Sequence, residues 1–141
     1  MWVGGECTLI ALARIGEITA IDDEGLPYFD GLKKIRRTCA IVFYAFDLLA
    51  LNGEDLRDLP LLKRKAALKR ILRKTKNNRI RFTDHVIGAG VALFAQLEER
   101  GLEGMVAKKV DSLYTGGRTR DWLKIKTAAG KETMRRRIET W

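Results

Sequence analysis

Cys39-Ala40-Ile41-Val42-Phe43-Tyr44-Ala45-Phe46-Asp47-Leu48-Leu49 is the stretch from which the fold can be read. Branched and aromatic residues crowd it, and such residues fit a pleated, half-buried surface better than a helix, so it predicts a long strand. Asn52-Gly53 follows as a turn. Pro60 then opens a segment with Leu61, Leu62, Leu68, Ile71 and Leu72 on one side and cations on the other. That spacing predicts an amphipathic helix with its positive face outward. Upstream, Gly16 to Asp22 alternates and is β-branched, a second strand that the turn Asp23-Glu24-Gly25 and then Pro27 would end.

Downstream, Arg79 to Thr83 alternates as a short strand, and Gly90 to Arg100 reads as a helix stopped by Gly101. Met105 to Val110 and Trp122 to Thr127 read as two further strands separated by a turn containing Gly116-Gly117. Lys131 to Trp141 reads as a basic helical tail. This order fits an α+β domain rather than a regular βαβ repeat. The 141 residues suit about one domain, and 46% apolar with 32% charged residues is ordinary for a folded, soluble chain. No apolar run approaches a membrane span. The first residues carry Glu6 and no basic region, so no signal peptide is expected and the expected location is the cytoplasm.

Charge narrows the partners. Lys plus Arg number 27 against 18 Asp plus Glu, a net +9, which points first to nucleic acid. From Lys63 to Arg81 there are ten cations and no acid; from Lys108 to Trp141 there are ten more against four acids. Each run alone reads equally as a solvated face, and the pair favours a phosphate-binding surface. Cys7 and Cys39 stand 32 apart in no metal-ligand spacing, and Cys39 reads as a small buried hydrophobe. His85, the only histidine, reads as a packing residue.

Four segments set a charged or aromatic residue on or beside a strand: Gly16-Glu17-Ile18, Phe43 to Leu49, Glu103 to Lys109, and Trp122-Leu123-Lys124-Ile125-Lys126. Lys124 and Lys126 are two apart on a strand and share a face, with Leu123 and Ile125 on the other. Two like charges there repel unless an anion lies near, so that face is either plain solvent or a phosphate site. Singly, Phe46 also reads as core, and Glu17 and Glu103 as solvent-facing acids.

In this order and spacing, together with Asp55-Leu56-Arg57-Asp58-Leu59-Pro60-Leu61-Leu62 and Arg118-Thr119-Arg120-Asp121-Trp122, the segments resemble the ATP-dependent DNA ligases, most closely the bacterial end-joining type. The resemblance covers residues 15–127, leaving 1–14 unmatched and 128–141 as the basic tail. It implies a partial nucleotidyltransferase (ligase adenylation) domain, with a mixed, mostly antiparallel sheet and flanking helices. Glu17 resembles the acid of motif III, Phe46-Asp47 the Phe-Asp of motif IIIa, Glu103-Gly104 with Lys108 motif IV, and Lys124 with Lys126 motif V.

Those matches imply an ATP site. In such ligases a lysine attacks the α-phosphorus of ATP and expels pyrophosphate. AMP then passes to a DNA 5′-phosphate, and a 3′-hydroxyl displaces it to seal the nick. Phe46 is implied to stack on adenine, and Glu17 to accept from the ribose hydroxyls. Glu103 is implied to hold Mg2+ or Mn2+, and Lys108, Lys124 and Lys126 to hold phosphate oxygens. DNA, bound without sequence preference, is the implied partner.

Two departures bear on activity. The family's nucleophile lies in Lys-x-Asp-Gly upstream of motif III, yet none of the 16 residues before Glu17 is lysine. Asp30-Gly31 has Tyr28 where the lysine belongs, Lys109-Val110-Asp111-Ser112 ends in Ser, and Ile15 replaces a common Asp. Only 15 residues follow Lys126, too few for the family's C-terminal OB-type domain. The expectation is a truncated adenylation domain with no catalytic lysine of its own, inactive alone. It could be one half of a split ligase completed by a separate chain, or a non-catalytic nucleotide- and DNA-binding module. RNA ligases and capping enzymes share the fold, but the flanking segments resemble them less.

Overall fold

The structure, a computed structural model, describes residues 12–21, 27–28 and 40–139. The chain divides after Thr83 into two compact units. The first holds strands β1 (Leu12–Ile21), β2 (Pro27–Tyr28), β3 (Ala40–Leu51) and β4 (Glu54–Asp55), helix α1 (Leu61–Leu72) and strand β5 (Ile80–Phe82). The second holds helix α2 (Gly90–Glu99), strands β6 (Gly104–Lys108) and β7 (Trp122–Lys126), and helix α3 (Ala128–Glu139).

The expected α+β class, with a mostly antiparallel sheet, is what forms. In the first unit β2-β1-β3-β4 run in that order as antiparallel neighbours, and β5 joins β3 in parallel. In the second, β6 and β7 make an antiparallel ribbon. Both long strands exceed their predicted spans: β1 begins before Gly16, and β3 continues past Leu49 to the turn. At that turn Asn52 (φ 53°) and Gly53 (φ 85°) are both left-handed, the conformation that closes a two-residue hairpin between β3 and β4. Just beyond it, hydrogen bonds from the Arg57 side chain and backbone hold the Asp55 carboxyl down to about 2. Gly101 (φ 63°) ends α2 as expected, and the tail helix starts at Ala128, ahead of the predicted Lys131. Cys7, Cys39 and the turn at residues 23–25 lie outside the described residues.

The core of the first unit is Ala45, Leu48, Leu56 and Leu68, with Phe43, Leu51, Leu59, Ile71 and Phe82 packed around it. One sequence expectation fails here. The cations of α1 do not all face outward, because Arg64 and Lys65 are buried alongside Leu61 and Leu68. Positions 61, 64, 65 and 68 follow the i, i+3, i+4, i+7 spacing of one helix face, so both cations fall on the inward stripe.

Each of the two is fully engaged. Arg64 donates from Nε to Asp47 Oδ1 (2.9 Å) and from Nη2 to Asp47 Oδ2 (3.1 Å), while its Nη1 donates to the Leu59 carbonyl. Asp47 Oδ1 also accepts the Leu48 N–H at 2.8 Å. Neither side chain of the pair reaches solvent. Lys65 Nζ donates to the Thr83 carbonyl at 2.9 Å and to the Phe46 carbonyl at 3.3 Å, and lies 4.7 Å from the Phe82 ring centre. Two adjacent cations of α1 thereby tie together β3, the Leu59 turn and the end of β5.

Breaking one partner of a buried pair strands the other charge, which typically costs about 3–5 kcal/mol, whereas replacing both by well-packed apolar residues is often neutral. Arg64→Met is accordingly expected to lower the unfolding free energy by about 3–5 kcal/mol. Arg64→Met combined with Asp47→Leu should recover most of that loss. Urea unfolding of the single and double variants measures both.

Candidate functional site

In the first unit, the two residues matched to motifs III and IIIa stand on neighbouring strands. The β1–β3 register pairs Glu17 with Tyr44 and Gly16 with Ala45, then Ile15 with Asp47, so Phe46 is skipped. Phe46 is therefore the extra residue of a β-bulge, a feature that re-aims a side chain. The carbonyl of that bulged residue is the one that receives the buried Lys65 ammonium. A half-buried aromatic ring results, immediately before a carboxylate locked by Arg64. Glu17 is exposed.

Gly16 explains how the strands fit at the bulge. A Cβ there would lie 2.3 Å from Phe43 Cζ and 2.5 Å from the Tyr44 carbonyl oxygen, so only glycine lets the Phe43 ring cross β1 beside Glu17.

The second unit gathers the cations. Its register sets Lys108 opposite Trp122, Val106 opposite Lys124 and Gly104 opposite Lys126. Residues directly opposite in an antiparallel pair share a face, as do residues two apart on one strand. Lys108, Lys124 and Lys126 therefore occupy one face of the ribbon. Lys108 Nζ sits 3.8 Å from the Trp122 ring centre, a cation–π contact. Lys126 Nζ lies 3.4 Å from Glu103 Oε1, and Lys124 is exposed with no ion pair among the described residues.

Glu103 is positioned through its backbone. Thr127, almost fully buried, donates its N–H to the Glu103 carbonyl (3.1 Å) and shares its one hydroxyl proton between the Leu102 carbonyl and, at 3.2 Å, the Glu103 carbonyl. The same hydroxyl accepts the Gly130 N–H at 3.2 Å, which makes Thr127 the cap of α3. Gly104 follows at φ 147°, where a Cβ would lie 2.2 Å from the Ile125 carbonyl oxygen. Glycine alone adopts that conformation without strain.

Chemically, the ribbon face gathers three ammoniums, one of them paired with the Glu103 carboxylate, an arrangement that favours a polyanion. Among the described residues no group of three or more His, Cys, Asp or Glu could cage a metal ion. Mg2+ commonly binds through one or two carboxylates plus phosphate oxygens and water, so the single Glu103 carboxylate suits a phosphate-bridged ion. Sequence reasoning missed Arg64, Lys65 and Trp122. The helical period held the signal for the first two; the third needed the register. His85 is a loop residue, its ring partly exposed 3.7 Å from Asp84.

Gly104→Ala is expected to destabilise the second unit by about 2 kcal/mol or more. Hydrogen exchange at the β6 and β7 amides should quicken while β1 and β3 stay protected.

Three comparisons identify relatives. The family described as "ATP dependent DNA ligase domain" matches residues 12–126. The Pseudomonas aeruginosa protein named "Multifunctional non-homologous end joining protein LigD" is 34% identical over 120 residues, covering 83% of this chain and 14% of that protein. A "DNA ligase" of Methanoculleus marisnigri is 34% identical over 130 residues, covering 84% of this chain and 23% of that protein. The crystal structure of the ligase domain of Mycobacterium tuberculosis LigD superposes with a TM-score of 0.71 at 31% identity, over 82% of this chain and 37% of that one. A mycobacterial DNA ligase D solved with ATP and MES matches at the same TM-score and identity. The chain thus spans a minor part of the length of each relative. On the matched span, the α+β architecture and these relatives together, the chain belongs to the ATP-dependent DNA ligase domain family.

Proposed function

We propose that this chain forms the nucleotide-reading part of an ATP-dependent DNA ligase that acts in DNA end joining or nick repair. The observation that carries this reading is the ribbon face that brings Lys108, Lys124 and Lys126 together, with Lys126 paired to Glu103. A nucleoside triphosphate supplies the negative charge that such a face lacks. Lys124 and Lys126 would hold oxygens of the α-phosphate and pyrophosphate. Lys108, braced on Trp122, would add a third contact. Phe46 would stack on adenine and Glu17 would accept from the ribose hydroxyls.

Glu103 would hold Mg2+ or Mn2+, which when bound neutralises phosphate charge and orients the leaving pyrophosphate. The proposed acceptor is DNA. Attack on the α-phosphorus needs a lysine amine in line with it, and the 141 residues contain no Lys-x-Asp-Gly. The amine must come from outside them, with a separate chain as the proposed partner. Lys124 and Lys126 are assigned to phosphate oxygens, so neither replaces it. The absent tetrad also favours a second reading, a module that binds nucleotide and DNA without catalysis. Among the described residues no helix is long and apolar enough to cross a membrane.

Incubated with α-labelled ATP and Mg2+, the chain alone should form no acid-labile phosphoramide adduct and should not seal nicked DNA, because a missing nucleophile is not restored by neighbouring cations. A labelled band lost on hydroxylamine treatment contradicts this. ATP binding should remain measurable by calorimetry. Base–aromatic stacking is worth about 1–3 kcal/mol, so Phe46→Ala should weaken it by about fivefold to 150-fold, enough to abolish measurable binding at a weak site. Unchanged affinity in Phe46→Ala would remove the stacking role.

A further inference from the structure

The outer side of α1 and the segment that follows it carry a dense run of exposed cations. With Arg64 and Lys65 turned inward, the exposed cations are Lys63, Lys69, Arg70, Arg73, Lys74, Lys76, Arg79 and Arg81, in a stretch without a single acid. Among the described residues no carboxylate pairs with Lys63, Arg70, Arg73, Lys74, Lys76 or Arg79. Ala66, Lys69, Arg70, Arg73 and Lys74 line an open depression of about 650 Å³.

We propose that this face docks the sugar–phosphate backbone of double-stranded DNA, without reading sequence; the inference rests on the DNA ligase reading above. Single strands are usually held on exposed aromatic platforms. Here the nearby rings are half-buried and already engaged by cations: Lys65 and Lys69 lie 4.7 and 5.3 Å from the Phe82 ring centre, and Arg81 lies 6.0 Å from that of Tyr44. A membrane surface would call for bulky apolar side chains among the cations. None of the exposed large apolar residues described falls between 63 and 83.

The test is fluorescence anisotropy of a labelled duplex across a salt series. It uses the parent chain, Arg70→Gln/Arg73→Gln/Lys74→Gln, and a control, Lys131→Gln/Arg135→Gln on α3. Each phosphate no longer neutralised should flatten the line of log affinity against log salt by about 0.9. The triple variant should therefore bind about tenfold or more weakly at low salt, with a slope shallower by about 2 to 3. It should keep the parent's ATP affinity, melting temperature and circular dichroism. If the parent binds duplex and the triple variant keeps its slope, or the control flattens equally, the surface assignment is wrong while the ligase reading stands. If the parent binds no duplex at low salt yet binds ATP, the DNA part of the ligase reading fails with it. Tighter binding to single strands or to phosphatidylserine vesicles overturns the choice of occupant.

Discussion

The ion pair of Asp47 and Arg64, sealed from solvent, constrains how the first unit can pack. A buried carboxylate with a missing donor is untenable, so α1 can pack against β3 only in the register that delivers the Arg64 fork. That register also delivers the next residue, Lys65, to the Phe46 and Thr83 carbonyls. Phe46 is the residue that the β1–β3 register skips, and a buried backbone acceptor needs a donor, which Lys65 supplies to its carbonyl. The proposed adenine platform therefore stands on a bulge propped from behind by two cations of a single helix turn.

A related economy appears beside the two acids matched to the ligase motifs. Glu17 follows a glycine and Glu103 precedes one, and in both places the missing side chain allows a close approach. Phe43 and the Tyr44 carbonyl crowd Gly16, and the Ile125 carbonyl crowds Gly104. Each acid thus sits where two strands come closer than any Cβ permits. In the second unit, Thr127 adds a buried cap that fixes the Glu103 carbonyl and starts α3 in one stroke.

Much of this was legible in the sequence. The aromatic and branched run before Leu49, the Asn52-Gly53 turn and the Gly101 stop each signal their structure through local chemistry alone. The side-by-side placement of Lys124 and Lys126 follows from strand alternation. The inward turn of Arg64 and Lys65 did not follow from composition, because a run of cations reads as solvated until each is placed on the 3.6-residue period. The bulge at Phe46 and the seat of Lys108 on Trp122 are properties of register, which links residues far apart in sequence. Local patterns are silent on such pairings. The proposed roles of Glu17, Phe46, Glu103 and the three lysines rest on the joint spacing of the motifs, since each residue alone reads better as core or solvent-facing.

The most direct test of the nucleotide assignment reads the two halves of ATP separately. The isotopically labelled chain would be titrated with adenosine and, in a second series with Mg2+, with inorganic tripolyphosphate, while amide resonances are followed. Adenosine should shift the resonances of β1 and β3 around Glu17 and Phe46 and leave β6 and β7 in place. Tripolyphosphate should shift Lys108, Lys124, Lys126 and Glu103 and leave the Phe46 bulge in place. Shifts confined to the outer face of α1 in both titrations, or none at Phe46 with adenosine, would contradict the assignment.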